Sequence, residues 1–255
     1  IRNIMSRIRI KSAKEIALIR DSSRLSAEIL QLAGEMVKPG ITTDEINTFV
    51  HDYTVKHGAV PSPLNYNGFP KSVCTSVNDV VTHGIPDNYV LKEGDIINID
   101  VTSQLKGYHG DCSATFAVGE ISEEAKELMQ CSLDCLDAGI EVCALPQARI
   151  SDIGAVIEDI ATERDFTVVR DYCGHGIGRQ FHEEPLVLHY RQNRPGPVIR
   201  EGMVFTIEPM INAGDWRVRT LDDGWTVLTV DGSLSAQYEH TIAITKNGPE
   251  ILTVV

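Results

Sequence analysis

The sequence predicts an α/β protein in which one helix–break–helix–strand pattern occurs twice, giving two half-sheets with helices outside them, related by a pseudo-twofold axis. Three observations carry this reading. Apolar residues recur at helical spacing in four segments, a proline breaks each pair of helices at a matching place, and the halves match at an offset of 107 to 108 residues. Pro39 matches Pro146 and Ile46 matches Ile153 at 107, while Glu93-Gly94-Asp95-Ile96-Ile97-Asn98-Ile99-Asp100 matches Glu201-Gly202-Met203-Val204-Phe205-Thr206-Ile207-Glu208 at 108. Chance similarity between amphipathic helices is the alternative, and the shared Glu-Gly-x-x-x-x-Ile-acid segment argues against it.

Each element has its own signal. Ser12-x-x-Glu15 reads as a capping box, and Leu25, Ile29, Leu32 and Met36 mark the apolar stripe of a first helix that Pro39-Gly40 ends. Thr42-x-x-Glu45 caps a second helix, which runs to about His57-Gly58. A Pro/Asn/Gly-rich loop (61–70) and strand-like segments at 72–82 and 95–102 follow. In the second half, Leu128, Leu136 and Ile140 define a helix over 122–144, Pro146 breaks it, and Ser151 opens another carrying Ile153, Val156, Ile157 and Ile160. Residues 1–11 read as an N-terminal extension and 12–255 as a single domain. Ile1 is not a native start, Met5 is a candidate, and residues 1–4 are then a remnant or a processed leader.

Composition narrows the function. The chain has 255 residues, with 23 Lys+Arg against 36 Asp+Glu and a formal charge of −13, which disfavours a broad nucleic-acid surface. No apolar run approaches the roughly 20 residues that span a bilayer. The six cysteines form no CxxC pair, which suggests reduced thiols in a cytoplasm-like compartment; Cys131 and Cys135, at i,i+4 on a helix, read as buried thiols rather than half a metal site.

Acids at strand ends carry the chemical signal. Asp100 and Glu208 each close an apolar run, at equivalent places in the two halves. A hairpin turn centred between Leu105 and Lys106 would set Asp100 directly opposite Asp111, with Cβ atoms about 4.5–5.5 Å apart. Two solvated acids beside a turn is the competing account. His175 lies in Gly174-His175-Gly176-Ile177-Gly178, with His182-Glu183-Glu184 beyond it, and Glu239 precedes the apolar strand Thr241–Ile244. A lone histidine is more often a core residue than a ligand, and an acid at a strand end is usually solvated, so the joint pattern is what matters. Asp100, Asp111, Glu208 and Glu239 would bring four negative charges to one site, which two divalent cations balance. Such an oxygen-rich set with one imidazole suits Mn, Fe, Co or Zn and points to metal-assisted hydrolysis. HExxH, GxGxxG, P-loop and GxSxG patterns are absent.

The ordered segments Asn65-Tyr66-Asn67-Gly68-Phe69-Pro70-Lys71-Ser72-Val73-Cys74, His83-Gly84-Ile85-Pro86, Asn98-Ile99-Asp100-Val101, Gly107-Tyr108-His109-Gly110-Asp111, Gly174-His175-Gly176-Ile177-Gly178, Phe181-His182-Glu183-Glu184-Pro185, Thr206-Ile207-Glu208-Pro209-Met210 and Gln237-Tyr238-Glu239-His240-Thr241 resemble the type I methionine aminopeptidases, from about residue 10 to the C-terminus. The resemblance implies the pita-bread fold around a curved antiparallel sheet. It implies removal of the initiator methionine from nascent polypeptides by hydroxide attack at a dinuclear metal centre. By the same resemblance Asp100, Asp111, His175, Glu208 and Glu239 are the ligands of two divalent ions (Co, Mn, Fe or Zn), with Asp111 and Glu239 bridging. Glu208 would also shuttle a proton, and His83 and His182 would contact substrate. Tyr66, Phe69, Cys74, Phe181 and Trp225 match the methionine side-chain pocket, and Asn78, Val80 and Ser235 match a monovalent-cation site. The implied partner is a nascent chain with an N-terminal Met, with the ribosome as a further candidate, no direct nucleic acid, no membrane, and a monomeric enzyme. The implied compartment is the bacterial cytoplasm, or an organelle if a leader precedes Met5.

Three positions depart from the family pattern: Thr82 and Pro63 where cysteine is usual, and Cys112 where threonine is usual. Three rivals remain. One is another pita-bread exopeptidase such as aminopeptidase P or prolidase, the second is a non-catalytic pita-bread binding protein, and the third is an acidic metal-binding protein without turnover.

Overall fold

The computed structural model describes residues 8–255; Met5 and the residues before it lie outside them. The first half runs α1 (Ala13–Met36), α2 (Thr43–Lys56), β1 (Val60–Pro61), a 3-10 turn at Tyr66–Gly68, β2 (Cys74–Val77), β3 (Val80–Thr82), β4 (Ile96–Leu105) and β5 (Tyr108–Ala117). The second half begins with α3 (Glu123–Val142), α4 (Ile150–Glu163), β6 (Thr167–Val168), β7 (Gly174–Gly176), β8 (Glu183–Val187), β9 (Val204–Ile207) and β10 (Met210–Asn212). It ends with β11 (Val218–Thr220), β12 (Val227–Thr229), β13 (Ser235–Gln237), β14 (His240–Thr245) and β15 (Gly248–Ile251).

The repeat is real. Helices α2 and α4 each span 14 residues and are offset by 107 at both ends, and β4 and β9 begin 108 residues apart. In each half a central strand is flanked by two antiparallel partners: β4 by β2 and β5, and β9 by β7 and β14. Each half also has its own apolar core. Ile29, Ile46, Ile97 and Ile99 belong to the first, and Leu128, Ile153, Phe205 and Ile207 to the second. Helix α4 differs slightly from expectation. It starts at Ile150, because Asp152 accepts the Arg149 N–H at 2.8 Å, and Ser151 lies inside the first turn, accepting the Gly196 N–H at 2.9 Å.

The halves meet along β5 and the β13–β14 junction. Glu239 N–H donates to Ser113 O at 3.0 Å, Thr241 Oγ1 to Asp111 O at 2.8 Å, and Thr115 Oγ1 to Gln237 O at 2.8 Å. Asn98 Nδ2 reaches across to the same Gln237 carbonyl at 2.9 Å. These bonds carry the sheet across the seam, so acids on either side converge.

Helix α1 grips the β4–β5 hairpin through serines. Ser22, Ser23 and Ser26 are wholly buried, whereas Leu32, expected on the buried stripe, is half-exposed beside buried Ala33. Ser22 Oγ accepts the Leu105 N–H at 3.0 Å and donates to Tyr108 O at 2.6 Å. Ser26 Oγ accepts the Ser103 N–H at 3.0 Å and donates to Gly110 O at 2.8 Å. At Gly110 a Cβ would collide with the Ser22–Ser23 backbone. Ser26→Ala leaves two buried backbone groups unpaired and is expected to cost about 1–3 kcal/mol. Gly110→Ala, by prising the helix off the hairpin, is expected to cost about 1–3 kcal/mol as well. Urea unfolding of both variants checks these values; wild-type midpoints would contradict the assigned packing.

Candidate functional site

The seam draws the predicted acids together. Asp111, His175 and Glu239, all buried, present one ligand atom each within 4.8 Å of one another. Asp111 Oδ2 and Glu208 Oε1 each lie 3.6 Å from His175 Nε2. Each group is placed by a different element: Asp100 by β4, Asp111 by β5, His175 by β7, Glu208 by the end of β9, and Glu239 by the break between β13 and β14.

The expected register of the β4–β5 hairpin needs correction. The turn residues are Lys106 and Gly107, both at positive φ (53° and 81°), as a two-residue type I′ hairpin requires. Asp100 therefore opposes Ser113, and Asp111 opposes Thr102. The acids are diagonal rather than opposed, but a slip of two residues preserves the face because the side-chain period of a strand is two. Thr102 Oγ1 donates to Asp111 Oδ1 at 2.6 Å.

The electrostatics of this cluster are severe. Burial, followed by the charges of Asp111 and Glu208, pushes Asp100 well above the usual carboxylate range. Burial and the charges of Asp111, Glu208 and Asp100 do the same to Glu239. Glu208 is raised to about 7 by burial, against the pull of His175 and of hydrogen bonds from Thr206 Oγ1 (2.7 Å) and Gln237 Nε2 (3.2 Å). Burial alone would lower His175, but Asp111 and Glu208 hold it above its ordinary value. One oxygen of Glu239, Oε1, is buried without any hydrogen-bond partner. Four carboxylates facing one imidazole, with an orphaned oxygen among them, fit divalent cations and fit little else.

Around this cluster lies a cavity of about 250 Å³. It is lined by all five candidate ligands, by His83 and His182, and by Tyr66, Phe69, Cys74, Phe181 and Trp225. Cys74 stands opposite Asp100 on β2 and therefore shares its face. Phe69 and Trp225 pack edge to face at 5.2 Å, and Tyr66 and Phe181 lie 4.9 Å apart. His83 has φ 56° and packs edge-on against Tyr172 at 5.4 Å, so it is both a turn residue and a wall of the cavity. Burial lowers His83. Desolvation among the rings pushes His182 down to about 3, although part of the residue reaches solvent, and its Nδ1 pairs with the Tyr66 hydroxyl at 2.8 Å.

Other residues escaped sequence reasoning. Thr102, Tyr172, Cys173 and Met210 also line the cavity, and their only signal was adjacency to the motifs. His189 is buried and accepts the Glu208 N–H at 3.1 Å, with no sequence signal at all. Of the departures from the family pattern, Pro63 and Thr82 line the cavity, whereas Cys112 lies buried across from Val101 and does not. Outside the cavity, Asn78 has φ 54°, and its carbonyl accepts the Ser235 N–H at 2.9 Å. Val80 opens β3 two residues later, and Ser235 Oγ is buried without a partner.

Comparison with known proteins gives a consistent picture. Residues 17–246 match the model of metallopeptidase family M24. Methionine aminopeptidase A of Synechocystis sp. is 52% identical over 248 residues, spanning 97% of this chain and 98% of its own. The crystal structure of methionine aminopeptidase from Rickettsia prowazekii superposes with a TM-score of 0.94 at 48% identity, over 97% of this chain and 100% of that one. Prolidase from Pyrococcus furiosus has a TM-score of 0.77 at 22% identity, with 65% of it covered, which is a likeness of fold alone. The expected pita-bread fold is the observed one.

The buried acids link stability to pH and to cations. Glu208 binds its proton more tightly in the folded chain, at about 7 against 4.5, so its contribution is fully present below pH 4.5 and is lost as pH rises toward 7. Asp100 and Glu239 shift in the same direction. Chelator-treated protein is therefore expected to lose stability over this window. Saturating Mn²⁺ at pH 7.5 should raise its Tm by about 5–10 °C. Asp100→Asn should stabilise the chelated protein and shrink the cation response. Scanning calorimetry at pH 4.5 and pH 7.5 decides, and a Tm indifferent to Mn²⁺ at pH 7.5 would contradict a cation site.

Proposed function

This chain belongs to metallopeptidase family M24, and from that premise we infer that it is a methionyl aminopeptidase that removes the N-terminal initiator methionine from proteins and peptides. The observation that carries the reading is one cavity with two chemically distinct ends: the buried Asp111–His175–Glu239 group and an aromatic pocket. Asp100, Asp111, His175, Glu208 and Glu239 would hold two divalent ions. Bound there, such ions would cancel the carboxylate charge and would supply the Lewis acidity that lowers the pKa of water toward neutral.

The remaining work falls to the chain. Glu208, held in place by Thr206 Oγ1 and Gln237 Nε2, would take the proton from the nucleophile and pass it toward the leaving amine. His182 and His83, both kept neutral by desolvation, offer an N–H to the scissile carbonyl without adding a positive charge. The Tyr66 hydroxyl on His182 Nδ1 orients that ring. Tyr66, Phe69, Cys74, Phe181 and Trp225 surround a flexible thioether, and aromatic edges suit its sulfur.

The same reading extends beyond the cavity. Asn78, Val80 and Ser235 form a monovalent-cation site that braces the seam. The substrate is a nascent chain, met beside the ribosome by a monomeric enzyme in the bacterial cytoplasm or an organelle. No helix among the described residues is long and apolar enough to cross a membrane.

Metal-stripped protein refilled with Mn²⁺, Fe²⁺ or Co²⁺ is expected to release methionine from Met-Ala-Ser and to leave Leu-Ala-Ser and Ala-Pro-Ser intact. Cleavage of Ala-Pro-Ser would indicate an aminopeptidase P-like enzyme, and a folded protein inert with every metal would indicate a binding protein. Asp100→Asn and Glu239→Gln are each expected to lower kcat/KM by about a thousandfold or more, the equivalent of about 4 kcal/mol. Wild-type rates in either variant, measured with carried-over metal excluded, would refute the dinuclear site.

A further inference from the structure

We propose that Lys11 is a positioning residue for the reaction, strapping down the loop that presents Phe181 and His182 through a buried ion pair with Glu183. The proposal rests on the methionyl aminopeptidase reading above. Lys11 Nζ lies 2.7 Å from Glu183 Oε2, and each side chain is only 5% exposed. Among the described residues, Lys11 is the one lysine or arginine that is buried. Taking an ammonium out of water is costly, and a segment ahead of the first helix would ordinarily leave it in solvent. Here the segment is pinned on both sides of the side chain. The Lys11 N–H donates to Gly202 O at 2.7 Å, and Ser12 opens the capping box of α1.

The loop at the other end of the ion pair is tight. Gly178 N–H donates to Gln180 O at 3.1 Å, and Gly178 O accepts the His109 N–H at 2.9 Å. Glu183 Oε1 accepts the Gln180 N–H at 3.1 Å, so Glu183 ties the loop to itself with one oxygen and to Lys11 with the other. The Lys11 stem packs on Gly178, where a Cβ would stand 2.9 Å from Lys11 Cε and 3.1 Å from Glu183 Oε1. Phe181 and His182 sit inside this loop, and Glu183 lies opposite Gly176, the neighbour of His175, in the β7–β8 pairing. Removing the ammonium leaves Glu183 a buried charge without a counter-ion, with Oε2 unpartnered and only Oε1 still on the Gln180 N–H. The loop must then open to hydrate it, and that displaces His182.

The test uses the full-length Mn²⁺-loaded protein with Lys11→Met, which keeps the stem and removes the charge. Lys11→Gln, still a donor to Glu183, replaces it if Lys11→Met does not accumulate as folded protein. With Met-Ala-Ser as substrate, kcat is expected to fall about ten- to a hundredfold. Amide exchange at Gln180 and its neighbours should rise. In a His182→Ala background, Lys11→Met should lower kcat by less than about threefold, because the group it positions is gone. Equal losses in both backgrounds would make Lys11 a general structural residue and overturn the proposal, as would wild-type kcat with unchanged exchange. Failure of the enzymatic reading appears separately, as wild-type protein inert on Met-Ala-Ser. The exchange measurement then still reports whether Lys11 holds the loop.

Discussion

The seam between the two half-sheets gathers four carboxylates around one imidazole, Asp111, Glu208 and Glu239 buried and Asp100 half-buried, and the rest of the architecture is organised to tolerate that. No neutral arrangement of hydrogen bonds satisfies such a cluster. Thr102 serves Asp111, Thr206 and Gln237 serve Glu208, and Oε1 of Glu239 still has no partner. The repulsion can be relieved by protons or by cations. Protons suffice at low pH, and divalent cations do better because they cancel charge without giving up the carboxylates as ligands. Since every acid comes from a different element, the sheet cannot relax one without bending another. That ties the fold to metal chemistry.

Duplication explains how such a cluster can be built, and asymmetry explains what it does. Asp100 and Glu208 occupy equivalent places at an offset of 108, one at the middle of β4 and the other at the end of β9. Their neighbours diverge. In the first half the hairpin partner β5 adds a second acid, whereas in the second half β7 adds the imidazole and the β13–β14 break adds Glu239. The aromatic wall likewise mixes the halves, with Tyr66 and Phe69 from the first and Phe181 and Trp225 from the second. A symmetric site would hold ions but could not present a different surface to each side of a scissile bond.

Much of this was legible in the sequence because it depends on local chemistry. Capping boxes, proline breaks and the repeated Glu-Gly-to-acid segment report on backbone geometry that a few neighbouring residues determine, and the helices and central strands follow them closely. Charge counting located the acids for a similar reason: an ionisable residue closing an apolar run is costly wherever it packs. The hairpin register was not legible to the residue, because Lys106-Gly107 and the pair one position earlier both read as turns. The error was harmless only because a slip of two keeps the face. The buried serines of α1 drew no reading from the sequence, since their partners, the backbone of a hairpin some 80 residues away, are invisible to periodicity. His189 and Tyr172 escaped for the same reason. A histidine or tyrosine gains its role from what folds against it.

The supports of Glu208 show why such residues matter to chemistry as well as stability. Thr206 Oγ1 donates to the Glu208 carboxylate at 2.7 Å and accepts the His175 N–H at 3.0 Å, so one hydroxyl sets both groups. His189 Nε2 accepts the Glu208 backbone N–H, which lies just past the end of β9, outside its strand pairing. With both ends of Glu208 fixed and His175 referenced to the same threonine, their 3.6 Å separation cannot drift independently. A proton-holding carboxylate that also belongs to a charged cluster needs that restraint. If it swung free it would lower the repulsion at the seam, and the protein would gain stability by losing its site. The hydrogen bonds around Glu208 hold it in the cluster, so that the favourable escape from repulsion is to bind cations.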